Sequence, residues 1–499
     1  MASHHHHHHS GMEEWNFPVE YDENYLPPAD SRYWFPRRET MPAAERDKAI
    51  LGRLQQVCQY AWEHAPFYRR KWEEAGFQPS QLKSLEDFEA RVPVVKKTDL
   101  RESQAAHPPF GDYVCVPNSE IFHVHGTSGT TGRPTAFGIG RADWRAIANA
   151  HARIMWGMGI RPGDLVCVAA VFSLYMGSWG ALAGAERLRA KAFPFGAGAP
   201  GMSARLVQWL DTMKPAAFYG TPSYAIHLAE VAREEKLNPR NFGLKCLFFS
   251  GEPGASVPGV KDRIEEAYGA KVYDCGSMAE MSPFMNVAGT EQSNDGMLCW
   301  QDIIYTEVCD PANMRRVPYG QRGTPVYTHL ERTSQPMIRL LSGDLTLWTN
   351  DENPCGRTYP RLPQGIFGRI DDMFTIRGEN IYPSEIDAAL NQMSGYGGEH
   401  RIVITRESAM DELLLRVEPS ESVHAAGAAA LETFRTEASH RVQTVLGVRA
   451  KVELVAPNSI ARTDFKARRV IDDREVFRAL NQQLQSSAGS AWSHPQFEK

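Results

Sequence analysis

The sequence predicts an α/β protein in two domains, a large N-terminal α/β domain built on a largely parallel sheet and a small C-terminal α+β domain. Three observations carry this. Once affinity tags at both ends are set aside, about 480 residues remain, too many for one hydrophobic core. Between residues 160 and 275 short apolar runs alternate with helical stretches, the pattern of a parallel sheet covered by helices. Around residues 365–380 glycines and charges interrupt the apolar residues, which suits an exposed joint followed by a short hairpin.

Taken in order, residues 1–11 hold six consecutive histidines and residues 490–499 a linker and a streptavidin-affinity tag, Trp492 to Lys499. Seven of the 17 histidines fall in the tags, so histidine content makes no case for a metal. Residues 12–42, rich in proline and aromatics without periodicity, read as an extended arm on the body. From Ala43 onward Ile50, Leu51, Leu54, Val57, Cys58, Ala61 and Trp62 recur at helical spacing and predict a helix ending near Pro66. A short apolar run, Ile121-Phe122-His123-Val124, leads into His125-Gly126-Thr127-Ser128-Gly129-Thr130-Thr131-Gly132-Arg133-Pro134. Three glycines, three threonines and a serine in ten residues uncover backbone N–H groups and supply hydroxyls, the combination that wraps phosphate oxygens. The Gly-Lys-[Ser/Thr] ending of P-loop nucleotidases is absent, which disfavours a kinase or GTPase. His123 and His125 have no third ligand nearby and are read as structural.

Leu165–Phe172 suits a strand buried on both faces. Helices are predicted near 178–190, 203–213 and 223–235, and strands at 216–219, 246–249 and 271–273. Ligands in such sheets gather at the carboxyl ends of strands, so the loops after Phe172, Phe249 and Tyr273 are where chemistry is expected. Two of them carry acids, Ser250-Gly251-Glu252-Pro253 and Asp274-Cys275-Gly276-Ser277-Met278-Ala279-Glu280. A carboxylate there suits Mg²⁺, which takes one or two protein oxygens plus substrate phosphates; for Glu252 a helix N-cap is the alternative. Asp344 follows a β-like run at 337–341, where an acid can accept hydrogen bonds from both hydroxyls of a ribose.

Beyond the joint the pattern predicts a helix at 384–393, strands at 401–405 and 412–417, a long helix at 423–446 and a strand at 451–455. Lys466 lies in a closing basic segment whose cations solvation alone could explain. Acids exceed bases by six, which gives no reason to expect nucleic acid. No apolar stretch of about 18 residues or more and no basic-then-apolar leader is present, so a soluble cytoplasmic protein is expected, with no membrane partner. The eight cysteines lack a Cys-x-x-Cys pair and are expected as reduced thiols, Cys355 as a small buried hydrophobe.

In order and sequence these stretches resemble the phenylacetate-CoA ligase branch of the adenylate-forming enzymes. The likeness runs from about residue 45 to 475 and rests on Thr-Ser-Gly-Thr-Thr-Gly-Arg-Pro-Thr (127–135), Ala-Pro-Phe-Tyr (65–68), Cys-Gly-Arg-Thr (355–358) and Gly-Arg-Ile-Asp-Asp-Met-Phe-Thr-Ile-Arg-Gly-Glu-Asn-Ile-Tyr-Pro-Ser (368–384). It implies an adenylation domain over 12–368, a hinge at 369–371 pivoting on Asp371, and a small mobile domain over 372–489. It also implies ATP, Mg²⁺ and coenzyme A, and an aryl acid converted first to an acyl adenylate and then to a thioester. Residue by residue, Thr127, Ser128, Gly129, Thr130, Thr131 and Gly132 would cradle the phosphates, Gly251, Glu252, Pro253 and Asp274 would flank the adenine, and Asp344 would hold the ribose. Arg369 would face ribose and phosphate, Glu280 would hold Mg²⁺, Lys466 would be the catalytic lysine, and Arg377 and Gly378 would line the CoA tunnel. Family members are often homodimers.

Two departures stand out, Gly276-Ser277 where the family has Tyr-Gly, and Phe465 where a glycine precedes the lysine. Val168–Gly177 align with the stretch carrying the family's acyl-pocket walls, with Gly251 beside it. Ala170 stands where relatives tend to have tyrosine, near Phe172, Tyr175 and Trp179. The expectation is an acid bulkier than phenylacetate, indoleacetate first, unless Ala170 simply faces the core. An amine or carrier-protein thiol as acceptor, or a non-catalytic sensor, are the alternatives.

Overall fold

The computed structural model describes residues 16–127, 134–197, 199–252, 254–276, 278–281, 285–370, 374–376, 379–381, 383–407, 410–461 and 470–472. It divides into two compact units, one running to Ile366 apart from Val257–Asp262, the other formed by that short stretch and the chain from Phe367 onward.

In the first unit the strands are β1 (Ile121–Gly126), β2 (Ala136–Gly140), β3 (Leu165–Val168), β4 (Lys191–Phe193), β5 (Ala217–Gly220), β6 (Cys246–Phe249), β7 (Lys271–Gly276), β8 (Val287–Thr290), β9 (Ser293–Cys299), β10 (Ile304–Cys309), β11 (Arg322–His329), β12 (Leu340–Leu341), β13 (Asp344–Leu347) and β14 (Arg361–Leu362). The main sheet runs β14-β9-β8-β7-β6-β5-β3-β4, parallel from β4 to β7 and antiparallel from β7 to β14. The four residues of β5, like those of β6, are all buried, as expected of strands covered on both faces. Helices Met176–Arg187, Met202–Met213 and Pro222–Glu234 lie where the periodicity placed them. The β3 strand stops at Val168, four residues short of the predicted end, because the chain leaves the ladder toward the loop that precedes Met176. Strands β10, β11, β12 and β13 pair antiparallel around β11.

The helix Ala43–His64 ends at Ala65 with Pro66 following, as its spacing predicted. The preceding segment is more than an arm on the surface. Trp34 and Phe35 are fully buried, with Trp34 edge-on to Trp156 at 5.6 Å, because rings of this size contribute most when enclosed. Beside them lies a buried ionic cluster. Asp302 accepts from Arg38 at 2.9 Å and Arg153 at 2.8 Å, and Glu39 accepts from Arg357 at 2.9 Å. Burial raises the Asp302 pKa, but Arg153 and Arg38 overcome it and hold the carboxyl down to about 2. All eight cysteines are free thiols, with Cys355 fully buried.

The second unit has its own core of Ile386, Leu390, Ile402, Leu413, Leu415, Phe434, Ala438 and Val442. Its sheet orders strands Lys451–Leu454, Met410–Pro419, Tyr396–Glu407 and Val470–Asp472, and a hairpin pairs Phe374–Ile376 with Glu379–Ile381. The predicted long helix is two, Glu421–Ala425 and Ala428–Leu446, because Gly427 takes φ +97° between them. No helix among the described residues is long and apolar enough to cross a membrane.

Candidate active site

The parallel strands place their carboxyl ends side by side, with Val168 opposite Tyr219, Gly220 opposite Phe249, and Phe249 opposite Asp274. The loops that leave these ends carry most of the residues singled out in the sequence. After β3, the Ala169 N–H donates to the Tyr219 carbonyl at 2.9 Å and the chain bends through Phe172 to Tyr175. The Tyr175 hydroxyl lies 3.2 Å from that of Tyr219 and 3.3 Å from Ser250 Oγ, and the Tyr219 and Ser250 hydroxyls are themselves hydrogen-bonded. Two glycines make room for this cluster. A Cβ on Gly177 would collide with the Tyr219 hydroxyl, and Gly251, at φ +87°, would put a Cβ 3.0 Å from the Tyr175 hydroxyl. Burial raises both phenol pKa values, so the groups are neutral hydroxyls that donate and accept.

Phe172 packs edge-on to Trp179 at 5.2 Å, and the Trp179 indole N–H donates to the Ser173 carbonyl at 2.8 Å, so both predicted walls are tied into this loop. Ala170 is 8% exposed and packs with the residues of the main hydrophobic core. Tyr219 and Ser250 escaped that reading, although Tyr219 ends a predicted strand and Ser250 begins a singled-out loop.

At the end of β7 Asp274 is 7% exposed and accepts a short hydrogen bond from Ser256. Gly365, at φ +66°, lets the backbone pass close to both, since a Cβ there would sit 2.7 Å from Asp274 Oδ2 and 2.6 Å from Ser256 Oγ. Burial, partly offset by Ser256 and by a backbone hydrogen bond at Cys275, pushes the Asp274 carboxyl up to about 7. A Cβ at Gly276, where the family has tyrosine, would meet nothing within 4 Å among the described residues. Glu252 accepts from the Ser223 N–H at 2.6 Å, in the first turn of helix Pro222–Glu234, which is the capping role held as its alternative. Asp344 opens β13, half-buried, with its N–H donating to Ser342 Oγ at 3.2 Å. Arg369, in the second unit, is exposed in the short strand Gly368–Arg369.

Glu280 sits in a 3₁₀ turn, Ala279–Met281, with its side chain almost wholly buried and Lys97 Nζ 3.7 Å from Oε2. Arg332 donates to the Glu280 carbonyl at 2.6 Å and so fixes the turn. A buried carboxylate that already faces one ammonium has the oxygen chemistry that suits Mg²⁺ when phosphates supply the remaining ligands. The root of that loop is closed. Thr127 N–H donates to the Thr135 carbonyl at 3.0 Å, and Thr135 N–H to Thr127 Oγ1 at 2.9 Å. Side chains of Gln104, Gln335 and Ser334 satisfy backbone groups of β2, which immobilises the strand leaving it. Lys97 and Arg332 carried no motif and were not legible. Ser128, Gly129, Thr130, Thr131, Gly132, Pro253, Asp371, Arg377, Gly378 and Lys466 lie outside the described residues.

Asp274 yields a prediction about pH. An acid whose folded pKa is raised to about 7 makes the fold less stable as pH climbs from its unfolded value near 4 to about 7. Asp274→Asn, which still accepts from Ser256, should therefore melt above the parent at pH 8 by a few kcal/mol, and the gap should close toward pH 5. Melting curves at the two pH values check this; a constant gap would place the effect elsewhere.

Similarity to known proteins agrees with this layout. Residues 63–327 match the AMP-binding enzyme family model and residues 378–474 the AMP-binding enzyme C-terminal domain. The phenylacetate-coenzyme A ligase of Thermus thermophilus is 34% identical over 88% of this chain and 99% of its own length. A crystal structure of 2-hydroxyisobutyryl-CoA ligase in the postadenylation state with 2-HIB-AMP is 99% identical, covering 96% of this chain and all of that one at a TM-score of 0.84. An open conformation of the same ligase with 2-HIB-AMP and CoA is 98% identical, over 94% of this chain and all of that one, at a TM-score of 0.80.

Proposed function

This chain belongs to the AMP-binding enzyme family, in its phenylacetate-coenzyme A ligase group, and we propose that within that group its acid is a small branched 2-hydroxy acid of the 2-hydroxyisobutyrate type. The enzyme is an AMP-forming acyl-CoA ligase that uses ATP and CoA. A carboxylate is a poor electrophile, so its oxygen first attacks the α-phosphorus of ATP, pyrophosphate leaves, and the CoA thiol then displaces AMP from the acyl adenylate. Bound Mg²⁺ supplies positive charge to the phosphates, and Glu280 is the residue that would hold it. The Thr127–Thr135 clip and the loop it closes hold phosphate oxygens, Asp274 accepts from the adenine amine, and Asp344 accepts from the ribose. Glu252 keeps the neighbouring helix end in place. Lys466 offsets charge at the α-phosphorus, Arg369 pairs with ribose and phosphate, the 369–371 hinge lets the small domain turn, and Arg377 and Gly378 border the thiol's path. ATP and CoA are cytoplasmic substrates, which together with the free cysteines supports a cytoplasmic enzyme.

The observation that carries the choice of acid is the cluster of Tyr175, Tyr219 and Ser250 hydroxyls beside Ala170, Phe172 and Trp179. Similarity to a ligase bound to 2-HIB-AMP supports the same choice. The three hydroxyls bond to one another and still keep lone pairs to spare, so they can accept from a hydroxyl on the acid and favour an acid that bears one. Indoleacetate, the acid first expected from the sequence, and the smaller phenylacetate offer no such group. In thioester-formation assays kcat/KM for 2-hydroxyisobutyrate should exceed that for isobutyrate by roughly a hundredfold or more. Tyr175→Phe should reduce that ratio by about tenfold, the worth of one hydrogen bond to a buried partner. Faster turnover of phenylacetate or indoleacetate than of the hydroxy acid would return the arylacetate reading.

A further inference from the structure

We propose that His125, oriented by His123, is a positioning residue that clamps the acyl-pocket loop and thereby sets affinity for the acid rather than chemistry at phosphorus. The inference rests on the reading that the loop from Ala169 to Tyr175 borders the acid.

The hydrogen-bond directions follow from chemistry. His125 Nδ1 lies 3.3 Å from the Leu174 carbonyl, which only accepts, so Nδ1 carries the proton. His125 Nε2 is then bare and accepts from His123 Nδ1–H at 3.1 Å. Burial, with His123 beside it, lowers His125 to about 4 against the opposing Leu174 bond, and burial lowers His123 as well, so both rings are neutral near pH 7 and the relay keeps one sense. The rings cannot tilt freely. His123 stacks on Trp144 with centroids 3.8 Å apart and planes 3° apart, and Trp179 meets both imidazoles edge-on at 5.9 Å.

Trp179 in turn donates to the carbonyl of Ser173, so two successive loop carbonyls are captured by N–H groups from one ring assembly. The loop needs such restraint because Ser173 has φ +37°, a conformation an L side chain seldom adopts unless its surroundings impose it. The residue after Leu174 is Tyr175, whose hydroxyl enters the cluster with Tyr219 and Ser250. Without the His125 bond the loop is free to relax at Ser173, and the Tyr175 hydroxyl loses its place.

The test compares three full-length variants by steady-state kinetics. An Asn side-chain amide can stand where His Nδ1 stands, whereas a Gln amide reaches toward the position of Nε2. His125→Ala should raise KM for 2-hydroxyisobutyrate about tenfold or more, while KM for ATP and kcat at saturating acid change less than about threefold. His125→Asn should bring the acid KM back to within about threefold of the parent, and His125→Gln should not. Equal rises in both KM values, or equal behaviour of Asn and Gln, would overturn the clamp in favour of a volume-filling role. If the alanine variant does not fold, the Asn and Gln pair decides. Failure of the parent to use 2-hydroxyisobutyrate would sink the choice of acid instead, and the same comparison with the acid it does use still reads the clamp.

Discussion

Lys466→Ala should abolish formation of the acyl adenylate while sparing much of the transfer from a presynthesised acyl adenylate to CoA. The reason is timing. Negative charge gathers on the α-phosphate and departing pyrophosphate only in the first half-reaction, and a preorganised ammonium there acts without reorganisation. Losing one such contact costs roughly 3 kcal/mol or more, over about a hundredfold in rate. Lys466 lies in the 461–472 segment, where a proposed role rests on the family motif and not on described geometry. ATP–pyrophosphate exchange measures the first half-reaction and thioester release from the adenylate the second. Exchange that survived in the variant would remove Lys466 from this role.

Asp302→Ala should be the most destabilising single change. Its carboxylate pairs with Arg38 and Arg153, both nearly without solvent access, and accepts a short hydrogen bond from Tyr359. Removing it takes from Arg38 and Arg153 the carboxylate they share, leaving Glu39 at 3.8 Å from Arg153, and breaking a buried ion pair from one side costs about 3–5 kcal/mol. In a chain of this size that lowers the melting temperature by about five degrees. The pH dependence has a definite sign. A carboxyl held at about 2 contributes stability that is present above its ordinary value near 4 and is lost as pH falls toward 2. The parent should therefore lose its advantage over the variant in acid. A thermal melt at pH 7 within two degrees of the parent would show that the cluster relaxes around the loss.

The elements of the parallel sheet were legible because alternation between apolar runs and helical stretches is local. The strand ends that carry the candidate site were legible where a motif marks them, and Asp274 does lie in β7 with Glu280 in the turn that follows it. The N-terminal segment was read only as an arm lying on the body, because proline and aromatics without periodicity look alike on a surface and in a core; the burial of Trp34 and Phe35 shows how far it enters the core. Lys97 was invisible for a related reason. It meets Glu280 across 183 residues of chain, and nothing near either position signals the pair.

By itself the sequence determined the family, the two-domain order and the kind of reaction, because those depend on motifs whose backbone geometry is set within a few residues. Which acid enters depends on groups that meet only in space. Ala170 reads from the sequence as the opening of a larger pocket; only the structure shows that Tyr175, Tyr219 and Ser250, brought together from three strand ends, bond to one another beside that loop, and that His125 from a fourth element lies 3.3 Å from its Leu174 carbonyl. A side chain's role in such a pocket is fixed by the partners that reach it, and those partners are chosen by the sheet's register rather than by the neighbouring sequence.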